Sequence, residues 1–325
     1  MQSFKVLRYK PSDKAVWNNF VLDSNQQTFL FQRDFMDYHS DRFEDHSLMF
    51  YKNNKLIGLL PANKLDNEVC SHQGLTYGGF IYDATIKSED AIGIMRGTLE
   101  FLNENGILNF IVKELPYIYL NNPTNNPFTY LCFKVKAQLN RTDMHSVLDP
   151  KFKAYSRSRN NGYKRGKKNH LLVEETNDFA LFWNSILIPN LDKKHEVKPV
   201  HTLEEIKLLK SRFPNQIRQF NVYYQDNIVA GTTIFETKNV AHSQYISGNA
   251  DKNTLGSLDY LHHYLLEEVF ANKPYFNFGI SNIEEGQKIN EGLLYWKEGF
   301  GARSINQGFY TIKTENYKLL EDVFV

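Results

Sequence analysis

The chain has 325 residues, 42% of them hydrophobic and 14% aromatic, which is enough to bury a large core and, by length, to form two domains. A formal net charge of +1 gives no overall drive toward nucleic acid or an anionic membrane, so any anion site must be local. Cys70 and Cys132 lack Cys-x-x-Cys spacing, and there is neither a signal-peptide pattern nor an apolar run near the roughly 18 residues of a membrane helix, so the expectation is a cytoplasmic protein without disulfides or membrane insertion.

The first predicted helix runs from about Ser12 to Asp23, with Ser12 as N-cap and Val16, Trp17, Phe20 and Val21 on one side. Ser47–Tyr51 and Lys55–Leu60 flank Lys52-Asn53-Asn54 and read as a hairpin. A helix from Ser88 to about Asn105 carries Ile92, Met95, Leu99 and Leu102 at helical spacing and stops at Gly106, before a short strand over Ile107–Val112. Asn121–Pro127 is an irregular loop. From Lys151 to Lys168 the chain holds eight cations and no acid; helical geometry sets Lys153, Arg157, Lys164 and Lys168 along one side, with Gly162 weakening the helix. A helix opening at Asp178 with Phe182, Trp183 and Ile186 ends at Pro189, and another starts at a Thr202–Glu205 capping box and ends near Pro214.

The order hairpin, helix, strand then recurs. Asn221–Tyr224 and Ile228–Phe235 form a second hairpin, Leu258 to Phe270 an amphipathic helix, and Tyr275–Phe278 a strand. Placing Tyr51 on Tyr224 puts Asn54 on Asn227 and Gly58 on Gly231, so two copies of one domain account for the pattern.

The strand Tyr275-Phe-Asn-Phe-Gly-Ile-Ser281 and the element Leu294-Tyr-Trp-Lys-Glu-Gly-Phe-Gly-Ala302, behind the basic segment and the helices above, together resemble the second lobe of FemAB-type acyltransferases, part of the wider class of GNAT-fold N-acyltransferases. Phe31–Phe35, Leu59–Pro61 and Ser71–Gly79 are similar to the first lobes of small two-lobed members. The resemblance implies a mixed α+β fold of two tandem GNAT-like domains, each a central sheet flanked by helices: residues 1–140, and residues 141–325 with the basic segment 151–168. It also implies a cleft to which both lobes contribute.

By position, the resemblance puts Lys297 at the acceptor or transfer site, where an ammonium stabilises the developing oxyanion. A surface lysine lying over Trp296 and Phe300 is the plainer alternative. Arg157 and Arg159 suit an anionic ligand, and Ser257 with nearby amides before the Leu258 helix suits a phosphate, although Lys252–Ser257 is a degenerate form of the coenzyme loop of ordinary GNAT enzymes. Tyr245 and Asp259 are the candidate general bases, with His242, Glu284 and Glu285 behind them. Trp296 and Tyr77, the latter beside Gly78-Gly79, are candidate ligand contacts. The sequence lacks His-Glu-x-x-His, Gly-x-Ser-x-Gly, Gly-x4-Gly-Lys-Ser/Thr and Gly-x-Gly-x-x-Gly, so metal, serine-hydrolase, nucleotide-hydrolase and dehydrogenase chemistry are set aside.

The expected activity is acyl transfer from acyl-CoA as co-substrate, with no metal, to an amino group on a sugar nucleotide or cell-envelope precursor. Aminoacyl transfer from tRNA is the alternative donor chemistry, and a non-catalytic binder of an anionic precursor or RNA the alternative class. Oligomeric state stays open.

Overall fold

The computed structural model describes residues 4–195 and 198–325, and the chain divides into two compact units. One takes the chain up to Asp143 together with Asn306–Val325; the other is Met144–Ile305. Each is a mixed α+β layer structure.

In the first unit, Phe4–Arg8, Leu48–Lys52, Lys55–Leu60 and Ile81–Tyr82 form an antiparallel sheet. Glu44–Asp45, Asn63–Leu65 and Glu68–Cys70 lead to Asn109–Lys113, which lies parallel to Glu68–Cys70. The helix Ser88–Glu104 buries Ile92, Met95, Leu99 and Leu102 at the predicted spacing, and Gly106, at φ 75°, follows its end as expected. Cys70 and Cys132 are free and buried.

The expected second lobe, residues 141–325, does not keep its C-terminal end. The strand Arg303–Lys313 instead carries the chain back: Phe309 to Lys313 pair antiparallel with Lys113 to Asn109, and Ile312 and Leu320 complete the first core. Pairing of this kind depends on contacts far apart in sequence, which local pattern does not encode.

In the second unit, Leu172–Thr176, Ile217–Tyr224, Asn227–Glu236 and Val240–Gly248 run antiparallel in that order. Tyr275–Ile280 then lies parallel to Val240–Gly248 for three pairs only, Val240–Tyr275 to His242–Asn277, and antiparallel to the end of Gln138–Leu148. The helix Ser257–Tyr264, extended by a π-helical turn over Leu265–Val269, covers one face and buries Leu261, Leu265 and Leu266 against Phe220, Phe276 and Phe278.

The two hairpins share their local design, one residue out of step with the predicted alignment. Asn53-Asn54 and Gln225-Asp226 both have left-handed φ values of 48–64°, as a two-residue type I′ turn requires. In both, the ladder slips one residue later, between Phe50 and Tyr51 and between Val222 and Tyr223. The turns therefore match Asn54 to Asp226, and the bulges match Gly58 to Ala230 rather than to Gly231.

Pro189 does not end its helix. A π-helical turn over Trp183–Leu187 precedes it, and Ile188–His195 continues; the wider turn accommodates a residue that has no N–H to return to the preceding turn. The Thr202–Glu205 capping box forms as predicted. The basic helix starts at Arg157, so Lys153 lies before it and pairs with Glu267 at 2.8 Å. Among the described residues no helix is long and apolar enough to cross a membrane.

Candidate active site

Beyond His242 and Asn277 the parallel strands of the second unit part, and Ile246, Ser247 and Gly248 of the departing strand line a cavity of about 680 Å³. That is ample for a small organic ligand. The other walls come from Ser158, Arg159 and Arg165 of the basic helix, from Lys252, Asn253, Leu258 and Asp259, and from Leu293, Tyr295 and Trp296 of the helix Glu291–Glu298. Asn190 ties a further wall to the strand: its Nδ2 donates to Ser247 Oγ and to the Gly248 carbonyl, each at 2.8 Å.

One wall is built around a buried ion pair. Ser156 caps the basic helix by accepting from the Arg159 amide at 3.3 Å, which starts the helix in register for Arg159 to point inward. Gly162 and Gly166 then let that helix close onto Ser257–Tyr264. A Cβ at 162 would stand 1.6 Å from Asp259 Oδ2, and one at 166 would stand 2.5 Å from the Tyr260 Cβ. Gly256, at φ 72°, turns the chain beneath the Gly162 carbonyl, where a side chain would come within 2.1 Å. Gly162 thus serves helix contact and does not break the helix.

Within that contact Asp259 Oδ1 accepts from Arg159 Nη1 at 2.5 Å and from Trp296 Nε1 at 2.8 Å. Burial pushes the Asp259 carboxyl above the usual carboxylate range, and the Arg159 guanidinium, with Trp296, opposes the shift without cancelling it. A carboxylate held on two donors in a closed contact orients Arg159 and Trp296, and its engaged oxygen is poorly placed to take a proton.

Lys297 follows Trp296 but turns away from the cavity. Its side chain is 2% exposed, and Nζ donates to the carbonyls of Gly279 and Ile280 at 3.0 and 2.6 Å. Those carbonyls are available because the ladder against Gln138–Leu148 slips between Asn277 and Ile280, and Gly279 takes φ 75°. Such a bulge re-aims backbone groups, and glycine adopts the left-handed turn without steric penalty. With no carboxylate beside it among the described residues, burial lowers the Lys297 ammonium to about 7. It is neither a solvent-exposed lysine nor a wall residue of the cavity.

Of the residues singled out from sequence, Arg159, Asp259 and Trp296 come together directly, and Lys297 stands next to Trp296. Arg157 is exposed and outside the cavity wall. Ser257 is fully buried, and its hydroxyl meets no partner among the described residues and does not line the cavity. Tyr245 points elsewhere: its hydroxyl bonds the amide of His201 at 3.1 Å and the His201 ring at 2.7 Å, against Trp183. Strand alternation sends neighbouring side chains to opposite faces, and nothing local marked which face Tyr245 takes. His242 is buried beside Gly279, while Glu284 and Glu285 form the left-handed turn between Asn282–Ile283 and Lys288–Ile289. Tyr77 belongs to the first unit, where it is buried and shares a 2.7 Å hydrogen bond with Thr28 Oγ1.

Arg165, Lys252, Asn190 and Ser247 line the cavity without having been selected. The two cations lay inside segments already marked as anion-binding; Asn190 and Ser247 carry no sequence signal beyond being polar. Among the described residues no group of three or more His, Cys, Asp or Glu side chains is placed to hold a metal ion.

No protein-family model matches the sequence, and no curated protein matches it. Solved structures do match the fold. FemX superposes with a TM-score of 0.66 at 8% identity over 98% of this chain and 99% of its own. L-PGS from Bacillus licheniformis gives 0.59 at 10% identity over 96% and 94%. A tandem GNAT protein from the clavulanic acid biosynthesis pathway gives 0.51 at 12% over 96% and 99%. The chain therefore has the tandem GNAT-like fold of the FemX type.

Proposed function

We propose that the Met144–Ile305 unit carries the active site of an N-acyltransferase, which moves an acyl or aminoacyl group from an activated ester or thioester to an amine. The observation that supports this best is the cavity where the parallel strands part, lined on the strand side by Ile246, Ser247 and Gly248 and carrying Arg165 and Lys252. A carbonyl laid along the departing strand would meet backbone groups no longer used in a ladder, and cations at the wall suit a phosphorylated donor. The amine nitrogen attacks the carbonyl carbon, a C–N bond forms and the C–S or C–O bond breaks. The proton shed by the amine leaves with the thiol or hydroxyl product. Positioning and electrostatic stabilisation would supply the rate, with Lys297 adding positive potential from behind Trp296.

The donor in this reading is acyl-CoA and the acceptor an amine on a sugar nucleotide or cell-envelope precursor, with the reaction in the cytoplasm. The names of FemX, L-PGS and the tandem GNAT protein are in keeping with group transfer as the chemistry. Aminoacyl-tRNA as donor is favoured by one observation: the basic helix leaves Arg157, Lys164, Lys167 and Lys168 exposed beside Arg165 at the cavity wall.

A thermal-shift screen separates these readings. A ligand at about a hundred times its dissociation constant stabilises by roughly 2.7 kcal/mol. Acetyl-CoA or free CoA should raise the melting temperature, and Arg165→Ala should abolish the rise. A flat response to every CoA species with a rise on aminoacyl-tRNA moves the donor to tRNA, and no response to either removes the transferase reading. Turnover left intact by Lys297→Ala would remove the role given to that residue.

A further inference from the structure

Beneath the cavity wall, the sheet face that meets the helix Ser257–Tyr264 holds buried polar atoms without partners among the described residues. His262 lies in that helix with no exposed surface. Its ring nitrogen Nδ1 is 2.9 Å from the Leu258 carbonyl and must donate to it, so Nε2 is a bare acceptor, and nothing meets it. Register puts two serines on the same face. Leu148 and Ala241 both pair with Phe276, and the rings of Phe276 and Phe278 lie 6.2 and 5.5 Å from that of His262. Ser146 and Ser243, two residues along from Leu148 and Ala241, share that face by strand alternation. Both hydroxyls are buried and unpartnered. Ser146 stands opposite the Phe278–Gly279 bulge.

Lys297 adjoins this set. Its ammonium sits on the carbonyl of Gly279, the residue after the Phe278 ring on which His262 stacks, and Trp296 meets His262 edge-on at 4.9 Å. An ammonium has three protons; two are used on carbonyls. In native proteins a bare buried acceptor and a spare buried donor are met by protein groups or by ordered water.

We propose that internal water joins Lys297 Nζ to His262 Nε2, which makes His262 a positioning residue for Lys297. The ionisable groups that feel the Lys297 charge are His262 on the helix Ser257–Tyr264 and His242 on the strand Val240–Gly248; Arg159 of the basic helix acts on His262 in turn, and His145 on His242. Burial keeps both His262 and His242 neutral at neutral pH, lowering them to about 4 and about 3. The water then receives a proton bond from Lys297 and donates one to His262, which favours the ammonium over the amine. The inference rests on the acyl-transfer reading only for the use to which Lys297 is put.

The test is an NMR titration of the full-length protein labelled at lysine, with the Lys297 signal identified by its loss in Lys297→Met. In His262→Leu the Lys297 midpoint should fall by about one pH unit, whereas His262→Gln, which offers an acceptor oxygen, should hold it near the unaltered value. An unchanged midpoint in folded His262→Leu overturns the proposal. Should that variant not fold, a high-resolution crystal structure of the unaltered protein decides: water bonded to both Lys297 Nζ and His262 Nε2 supports it, and no water between them overturns it. The titration needs no substrate, so its failure leaves the transferase reading standing, and absent transfer alongside a normal titration fails that reading alone.

Discussion

Lys297 and Asp259 are both ionisable groups taken out of water, and their protein partners differ in kind. Among the described residues Lys297 has only carbonyl dipoles as direct partners, so burial holds its folded-state value near 7, below its unfolded value near 10.5. Below pH 7 the residue is charged in both states and the folded state bears the whole desolvation cost. Between about 7 and 10.5 the unfolded chain holds a proton that the folded chain has shed, so stability rises with pH through that window. Lys297→Met removes this term. The stability of the unaltered protein relative to the variant should climb by a few kcal/mol from pH 7 to 10, measured by urea denaturation across pH. Parallel pH profiles for the two proteins would contradict the buried ammonium. Asp259 has a full countercharge, and Asp259→Asn would leave Arg159, 12% exposed, without it. Removing one member of a buried pair typically costs about 3–5 kcal/mol, whereas replacing both with apolar residues is close to neutral. Chemical denaturation should therefore show Asp259→Asn to be worse than the double change Arg159→Met with Asp259→Leu.

At the scale of elements, the contact between the basic helix and Ser257–Tyr264 sets the cavity wall, and glycines set the contact. Glycine to alanine in a helix interior ordinarily stabilises by up to about 1 kcal/mol. At Gly162 the added methyl meets the Asp259 carboxylate, and at Gly166 it meets Tyr260. Gly162→Ala should lower the melting temperature despite its better propensity, and weaken any ligand held by Arg159. A more stable Gly162→Ala would mean that the helices are free to separate. The sequence was least informative here: its periodicity showed that a helix was possible and Gly162 showed only a local weakness, because propensity describes one helix and the use of glycine lay in its neighbour.

For the whole molecule, the return of Asn306–Val325 to the first unit makes the second unit an insertion between two parts of the first. The strand Arg303–Lys313 supplies five residue pairs to Asn109–Lys113, and Thr314 Oγ1 and Asn316 Nδ2 bond the carbonyls of Ile107 and Val135 at 2.6 and 2.8 Å. A chain ended at Ile305 should therefore lose protease resistance in the residues up to Asp143 while the Met144–Ile305 unit stays resistant. Limited proteolysis read by mass spectrometry distinguishes this from uniform loss, which would show that the units are not separately cored.

The hairpins at Asn53-Asn54 and Gln225-Asp226, the helix ending at Gly106 and the Thr202–Glu205 cap follow from turn chemistry, periodicity and end signals, which act over a few neighbouring residues. Those local rules determined the order of elements and, with it, the repeated α+β plan. They did not reach the Phe278–Gly279 bulge that turns two carbonyls onto Lys297, the face on which Tyr245 falls, or the close approach that sets Arg159 and Trp296 on Asp259. Only the tertiary structure decided these, because each depends on which distant backbone lies within a few ångströms, and the charge state of a buried lysine is set by the water that packing excludes.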